Sequence, residues 1–313
     1  MLCISKYNSS FNFKVIGYSE IDKFASELFD CNHKNNKGGN IKNFGDITTF
    51  RDIIDEIPDF DMFTGGFPCQ PFSTAGMQKG EEDPYGRGTL FYHIIELCKV
   101  KQPKYILMEN VKGLTSKKFQ PTFERMKSLL TSIGYGEDPL AYAILNSKDY
   151  GIPQNRERLW MFARLGGLPK NFSIVPPKSP NDLLLKDFLD TEPDKYLYLS
   201  KEQIDHLKLK HNIPSFKVKE SLCFDVYNKK IKTDGYCITI TQPEHNSLRI
   251  IEAAGEKEIV RKMSVSEQFR LMGFKDGEIN FCNQSYTQLS KRAGNGWDIN
   301  LATILIKHIF EQL

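Results

Sequence analysis

The sequence predicts an α/β protein: a Rossmann-like sheet domain with helices on both faces, joined to a smaller irregular domain. Three observations carry this reading. Over the first 165 residues, short apolar runs alternate with segments of helical period, as repeated βα units do. From about Gly166 the periodicity fades, and Pro169, Pro176, Pro177, Pro180, Pro193 and Pro214 punctuate the stretch that follows. Regularity then returns at Ser264. The expected divisions are 1–167, 168–260 and 261–313, the last a return to the first domain.

In chain order, residues 14–18 form a short apolar strand, and 21–29 continue as a helix. A short strand fits 40–44. Residues 60–64 are a strand that runs into the Gly/Pro-rich loop 65–73. Residues 89–99 read as a helix and 105–108 as a buried strand. Apolar side chains at 119, 123, 126, 130 and 133 give a helix its period. Residues 140–145 and 159–163 are further strands. Such units imply a mostly parallel sheet. Ser264-Val-Ser-Glu267 matches a capping box opening a helix over 265–272, and Gly273 stands where a left-handed C-terminal cap belongs. Residues 299–310 form a final amphipathic helix.

Composition narrows the class of function. Of the 313 residues, 40% are hydrophobic and 26% charged, which excludes disordered, collagen-like and coiled-coil chains. Lys plus Arg number 42 against 39 acidic residues, a net charge of +3, far from a non-specific polycation. Apolar stretches such as 301–306 fall far below the roughly 18 residues that span a bilayer. The first ten residues hold no apolar core of a secretion signal, so a cytoplasmic location and no membrane partner are expected. Seven cysteines and six histidines are scattered without a CxxC pair, which leaves no metal site in prospect.

In an open parallel sheet, ligands bind beyond the carboxyl ends of the strands. Glu20, Asp46, Cys69 and Glu109 all fall at such ends. Carboxylates after the first two strands suit ribose hydroxyls and an adenine amino group. There is neither a GxGxxG fingerprint nor a P-loop. Cys69 sits in Gly65-Gly66-Phe67-Pro68-Cys69-Gln70-Pro71-Phe72-Ser73, where prolines stiffen the backbone and glycines admit a close ligand. A nucleophilic thiol needs such fixed geometry together with a thiolate population.

That segment, Glu109-Asn110-Val111 and Gln154-Asn155-Arg156-Glu157-Arg158 resemble, in order, the motifs of the DNA (cytosine-5) methyltransferases of bacteria and phages. Further matches lie at Tyr18-Ser-Glu-Ile-Asp22, Gly45-Asp46-Ile47, Arg87-Gly-Thr-Leu-Phe91, Arg261-Lys-Met-Ser264, Met272-Gly-Phe274 and Ala293-Gly-Asn-Gly296. The resemblance implies an S-adenosylmethionine-dependent methyltransferase domain with a target-recognition domain over 168–260. It also implies a restriction-modification setting.

The resemblance assigns roles residue by residue. Cys69 would add to C6 of a flipped cytosine, making C5 nucleophilic enough to take a methyl group. Glu109 would contact N3 and the exocyclic amine, Arg158 would hold O2, and Arg156 would support the catalytic loop. A proton from Glu109 to N3 requires a protonated carboxyl, which a dry pocket favours. Glu20, Ile21, Asp46, Ile47, Pro68, Leu90, Asn295 and Trp297 would bind the cofactor. The family's last motif is usually Gly-Asn-Ser-Val, against Gly-Asn-Gly-Trp here. Gln70 and Ser73, with Asn246, Ser247 and Arg249 in the recognition segment, would touch double-stranded DNA. Residues 201–235 hold eight Lys against five acidic side chains, suited to phosphates.

The family begins with a strand and a Phe-x-Gly-x-Gly turn, and nothing like it precedes Tyr18. The first strand is therefore expected to be missing, with residues 1–5 falling in or after the first helix. A second chain supplying that strand is one partner this suggests; the resemblance to modification enzymes implies a cognate restriction endonuclease as another. Two other readings stay open on the same residues. One is a tRNA cytosine-5 methyltransferase; the other is a truncated, split or inactive relic that binds DNA without methylating it.

Overall fold

A computed structural model describes residues 2–8, 12–35, 37–67, 90–179, 182–212, 221–226, 228–242, 248–254 and 257–313. The chain divides into two compact units. The first comprises 1–145, 157–176 and 304–313; the second comprises 146–156 and 177–303. The packing therefore departs from the expected boundaries. Residues 261–303 stay with the second unit instead of returning to the first, and 146–156 join them. Side-chain bonds explain this: Gln154 reaches the Leu271 carbonyl at 2.7 Å and takes the Ile240 amide at 2.9 Å, so these stretches close on one another.

The first unit is built on a seven-stranded sheet. Its strands are β1 (Leu2–Asn8), β2 (Asn12–Ser19), β3 (Lys42–Asn43), β4 (Met62–Gly66), β5 (Tyr105–Val111) and β6 (Ala141–Asn146). After β7 (Gln154–Asn155), which belongs to the second unit, β8 (Glu157–Arg164) completes it. The order is β3-β2-β1-β4-β5-β8-β6. The pairs β2–β3 and β4–β5 are parallel, whereas β1 is antiparallel to both β2 and β4, and β8 to β5. The sheet is thus more mixed than expected.

Two expectations for the N-terminus are corrected. Residues 2–5 are strand, not helix, and the place between β2 and β4 is filled by β1, in the reverse direction. The cause is local: three residues separate β1 from β2, enough for a hairpin but far too few for the crossover a parallel pair requires.

Strand alternation divides β5 and β8 between two cores, as expected for strands buried on both faces. Ile106, Met108, Leu159 and Met161 face the cluster that includes Ile94 and Cys98 of α2 (Leu90–Lys101) and Phe123, Met126 and Leu130 of α3 (Gln120–Ser132). Tyr105 and Phe162 turn the other way and meet Phe310 edge-on, at 4.9 and 6.4 Å between ring centroids. The predicted stripe Phe119, Phe123, Met126, Leu130 and Ile133 is buried throughout. Each such side chain contributes about 1.5–3 kcal/mol.

The second unit holds the segment expected to be irregular, and it is more regular than its sequence suggested. A helix (Lys201–His211) precedes the strands Leu222–Asp225, Lys230–Lys232, Leu248–Ala254 and Lys257–Arg261, which pair antiparallel in one four-stranded sheet. The next helix (Val265–Arg270) opens with the predicted capping box between Ser264 and Glu267. Gly273 follows at φ +88°, where an added Cβ would come within 2.6 Å of the Asn300 amide nitrogen. Only glycine fits there. The helix Ile299–Phe310 forms with its predicted ends. Among the described residues no helix is long and apolar enough to cross a membrane.

Candidate active site

At the carboxyl end of β5, Glu109 stands directly opposite Trp160 of β8, with Arg158 two residues away on the same face. That register brings Arg158 Nε to 3.0 Å from Glu109 Oε1, with side chains only 17% and 14% exposed. The Arg158 Nη1 group donates to the Glu157 carbonyl at 2.9 Å. Lys112 pairs with Glu157 at the rim. The parallel pairing of β4 and β5 sets Glu109 beside Gly66. Cys69 follows three positions later in the chain. Cys69 itself, with Pro68, Gln70 and Ser73, lies outside the described residues, as do Asn246 and Ser247.

Asn110 is a residue the sequence reading left without a role. It is buried, its Nδ2 donates to the Phe67 carbonyl at 3.4 Å, and its Oδ1 accepts from the Val111 amide at 2.8 Å. It therefore ties the end of β5 to the residue preceding Pro68. A buried asparagine within an apolar strand was the signal available.

A second group gathers at the carboxyl ends of β2 and β3. Glu20 follows β2; its Oε1 takes the Asp22 amide at 2.8 Å, and Asp22 caps the helix α1 (Lys23–Asn32). Ile21, expected on the adenine, is 75% exposed and so is not a core residue. Asp46 caps the 3-10 segment Ile47–Glu56 by accepting the Thr48 amide at 2.9 Å. Below it a small recess is lined by Ser19, Phe44, Asp46, Ile47 and Phe50 among others. Ile47 and Leu90 both pack into the core cluster of this unit. A small apolar recess edged by one carboxylate thus lies beside a second carboxylate and an exposed aliphatic side chain.

Within the second unit Arg156 is buried to 2% exposure. Its Nη1 donates to the Ile240 carbonyl at 3.0 Å, and its Nη2 to the carbonyls of Gly294 and Gly296 at 3.2 and 2.7 Å. It thus clamps the turn that carries Asn295 and Trp297. Asn295 is exposed and Trp297 half-buried. Next to them, burial pushes the Asp298 carboxyl above its ordinary value, against the opposing pull of Ser147, two backbone amides and Arg156. Arg249 lies on the strand Leu248–Ala254 between the buried Leu248 and Ile250, so its side chain leaves by the opposite face. Burial lowers the pKa of its guanidinium, with Tyr286 acting the other way.

An open α/β sheet, with polar residues of distinct chemistry at successive strand ends, defines a Rossmann-like methyltransferase fold. The S. pombe Dnmt2 methyltransferase shares that fold at a TM-score of 0.69 and 21% identity, over 95% of this chain and 91% of that one. The C-5 cytosine-specific DNA methylase family matches residues 5–311, and the chain belongs to that family. It is 33% identical to the type II methyltransferase M.NgoBI of Neisseria gonorrhoeae over 279 residues, 88% of this chain and 80% of that protein. Against the type II methyltransferase M.HaeII of Haemophilus aegyptius it is also 33% identical, over 91% of this chain and 82% of that protein.

Proposed function

We propose that the protein transfers a methyl group from S-adenosylmethionine to C5 of cytosine within a specific double-stranded DNA sequence. The observation that carries this is the Glu109–Arg158 pair, set by strand register beside Gly66, from which the chain leads to Cys69. The Cys69 thiolate adds to C6 of the base, and the electron pair this delivers to the ring makes C5 a nucleophile. Glu109 engages N3 and the exocyclic amine, and Arg158 holds O2. Loss of the C5 proton and expulsion of the thiolate then release the methylated base. Because stacking shields C6 in a duplex, the cytosine is flipped out, at about a few kcal/mol.

The residues at the ends of β2 and β3 fit the adenosine half of the cofactor: Glu20 for the ribose, Ile21 and Ile47 against the adenine faces, Asp46 for its amino group. Leu90, Pro68, Asn295 and Trp297 belong to the same assignment. When bound, the cofactor supplies an electrophilic methyl group on a sulfonium. Arg156 acts at one remove, as a positioning residue for the 294–296 turn. Arg249, with Gln70, Ser73, Asn246 and Ser247, is assigned to DNA. A partner endonuclease and a cytoplasmic location accord with the type II relatives.

The test is incubation with unmethylated mixed-sequence DNA and S-adenosylmethionine, followed by sequencing for 5-methylcytosine. Methylation confined to one short motif is expected, and transfer to tRNA but not DNA would refute the substrate. A second expectation concerns the pair: Glu109→Gln lowers kcat by about 10²- to 10⁴-fold while cofactor KM holds. Steady-state kinetics showing near-normal kcat would remove Glu109 from its role.

A further inference from the structure

We propose that Asn43 is the positioning residue that sets the spacing between the two carboxylates of the cofactor site; this rests on the assignment of Glu20 and Asp46 above. An asparagine amide offers two N–H donors and one carbonyl oxygen with two lone pairs. Asn43 uses all of them. Its Oδ1 accepts the Glu20 amide at 3.1 Å and the Gly45 amide at 2.9 Å. Its Nδ2 donates to the Glu20 carbonyl at 2.9 Å and to the Ser26 hydroxyl, in the first turns of α1, at 3.1 Å. One side chain thus joins the loop that carries Glu20, the helix that follows it, and the loop that carries Asp46.

The need for such a link follows from the sheet. Each carboxylate is oriented within its own loop, Glu20 by the Asp22 amide and Asp46 by the Thr48 amide. The distance between the loops is a separate matter. The strand pairing beneath them consists of only Gly17 with Lys42 and Tyr18 with Asn43. Beyond that pairing run the Phe44 amide to the Tyr18 carbonyl (2.7 Å) and the Ser19 hydroxyl to the Gly45 carbonyl (2.6 Å). Asn43, at the last paired position, reaches furthest, touching residues on both sides of the gap. A binding constellation must be held to within about 0.5 Å, which a two-residue strand pair alone holds poorly.

Because Asn43 is exposed and distant in sequence from Cys69, its loss acts on cofactor affinity rather than on chemistry. Calorimetric titration with S-adenosylhomocysteine, together with methylation kinetics on DNA, reads this out. Asn43→Ala is expected to weaken binding about tenfold and to raise cofactor KM by the same factor. The kcat at saturating cofactor, and the KM for DNA, stay at the wild-type values. Asn43→Asp, which keeps the accepting oxygen, regains part of the loss. Equal affinity of wild type and Asn43→Ala overturns the role of Asn43 alone. A wild-type protein that binds no S-adenosylhomocysteine overturns that role and the site assignment together. A fall in kcat at unchanged KM, or in thermal stability at unchanged affinity, also overturns it.

Discussion

Cys69→Ala is expected to abolish methyl transfer while leaving the fold intact. Removing Sγ removes the only atom assigned to attack C6, and an unactivated C5 is too weak a nucleophile to take the methyl group at a measurable rate. Loss of one member of a catalytic unit commonly costs several orders of magnitude, about 10⁴-fold or more. The measurement is transfer of tritiated methyl groups to DNA, beside a thermal melt of the same preparation. The melting temperature stays near that of the wild type, and S-adenosylhomocysteine still binds. Turnover within about tenfold of wild type would refute Cys69 as the nucleophile. Gly65 and Gly66 close β4, and Phe67 packs against Phe91 with ring centroids 5.6 Å apart, so the approach to the cysteine is anchored independently of the thiol.

The largest effect on stability is expected at Arg261, a charged side chain with no exposure. Its Nη1 and Nη2 meet the two carboxylate oxygens of Glu267 at 2.8 and 2.7 Å, and its Nε meets Glu252 at 2.8 Å. Glu267 has no exposure either, and it also accepts the Asp190 and Ser264 amides at 2.8 and 2.7 Å. Arg261→Met would fill much of the volume but strand a buried carboxylate, at a cost of about 3–5 kcal/mol. Urea denaturation of the full chain, followed by circular dichroism, measures it. For the second unit this corresponds to a melting temperature about 10–17 °C lower. A loss below about 1 kcal/mol would show that the pair is solvated in solution. The network joins the end of the four-stranded sheet to the helix Val265–Arg270; on the proposed assignment of that sheet to DNA, the variant is also expected to bind DNA more weakly.

Much of the first unit was legible before the fold. Apolar runs located β2, β4, β5, β6 and β8 to within a few residues; β4, β5 and β8 are the clearest, because burial on both faces leaves a run of large side chains. Helix ends were equally plain where a cap wrote them: Ser264 with Glu267, and Gly273 at positive φ. These signals are local, since a cap needs only the neighbouring turn. Two other capping boxes, Ser200 with Gln203 and Ser285 with Gln288, carried the same signature without being read. The irregular segment was less legible: its strands are short, and β9 (Leu222–Asp225) finds one of its partners, Leu248–Ala254, more than twenty residues along the chain.

By itself the sequence determined the class of fold, most elements of the first unit, and the placing of Glu20, Asp46 and Glu109 near strand ends. The physical reason is that periodicity, turn chemistry and caps act over a few residues, within reach of a linear reading. Only the tertiary structure decided the direction of β1, the closing of residues 146–156 onto the second unit, the pairing of Arg158 with Glu109, and the four bonds of Asn43. Each depends on groups brought together by strand register or by chain folding, and register is set by the burial of whole faces rather than by any residue's own preference.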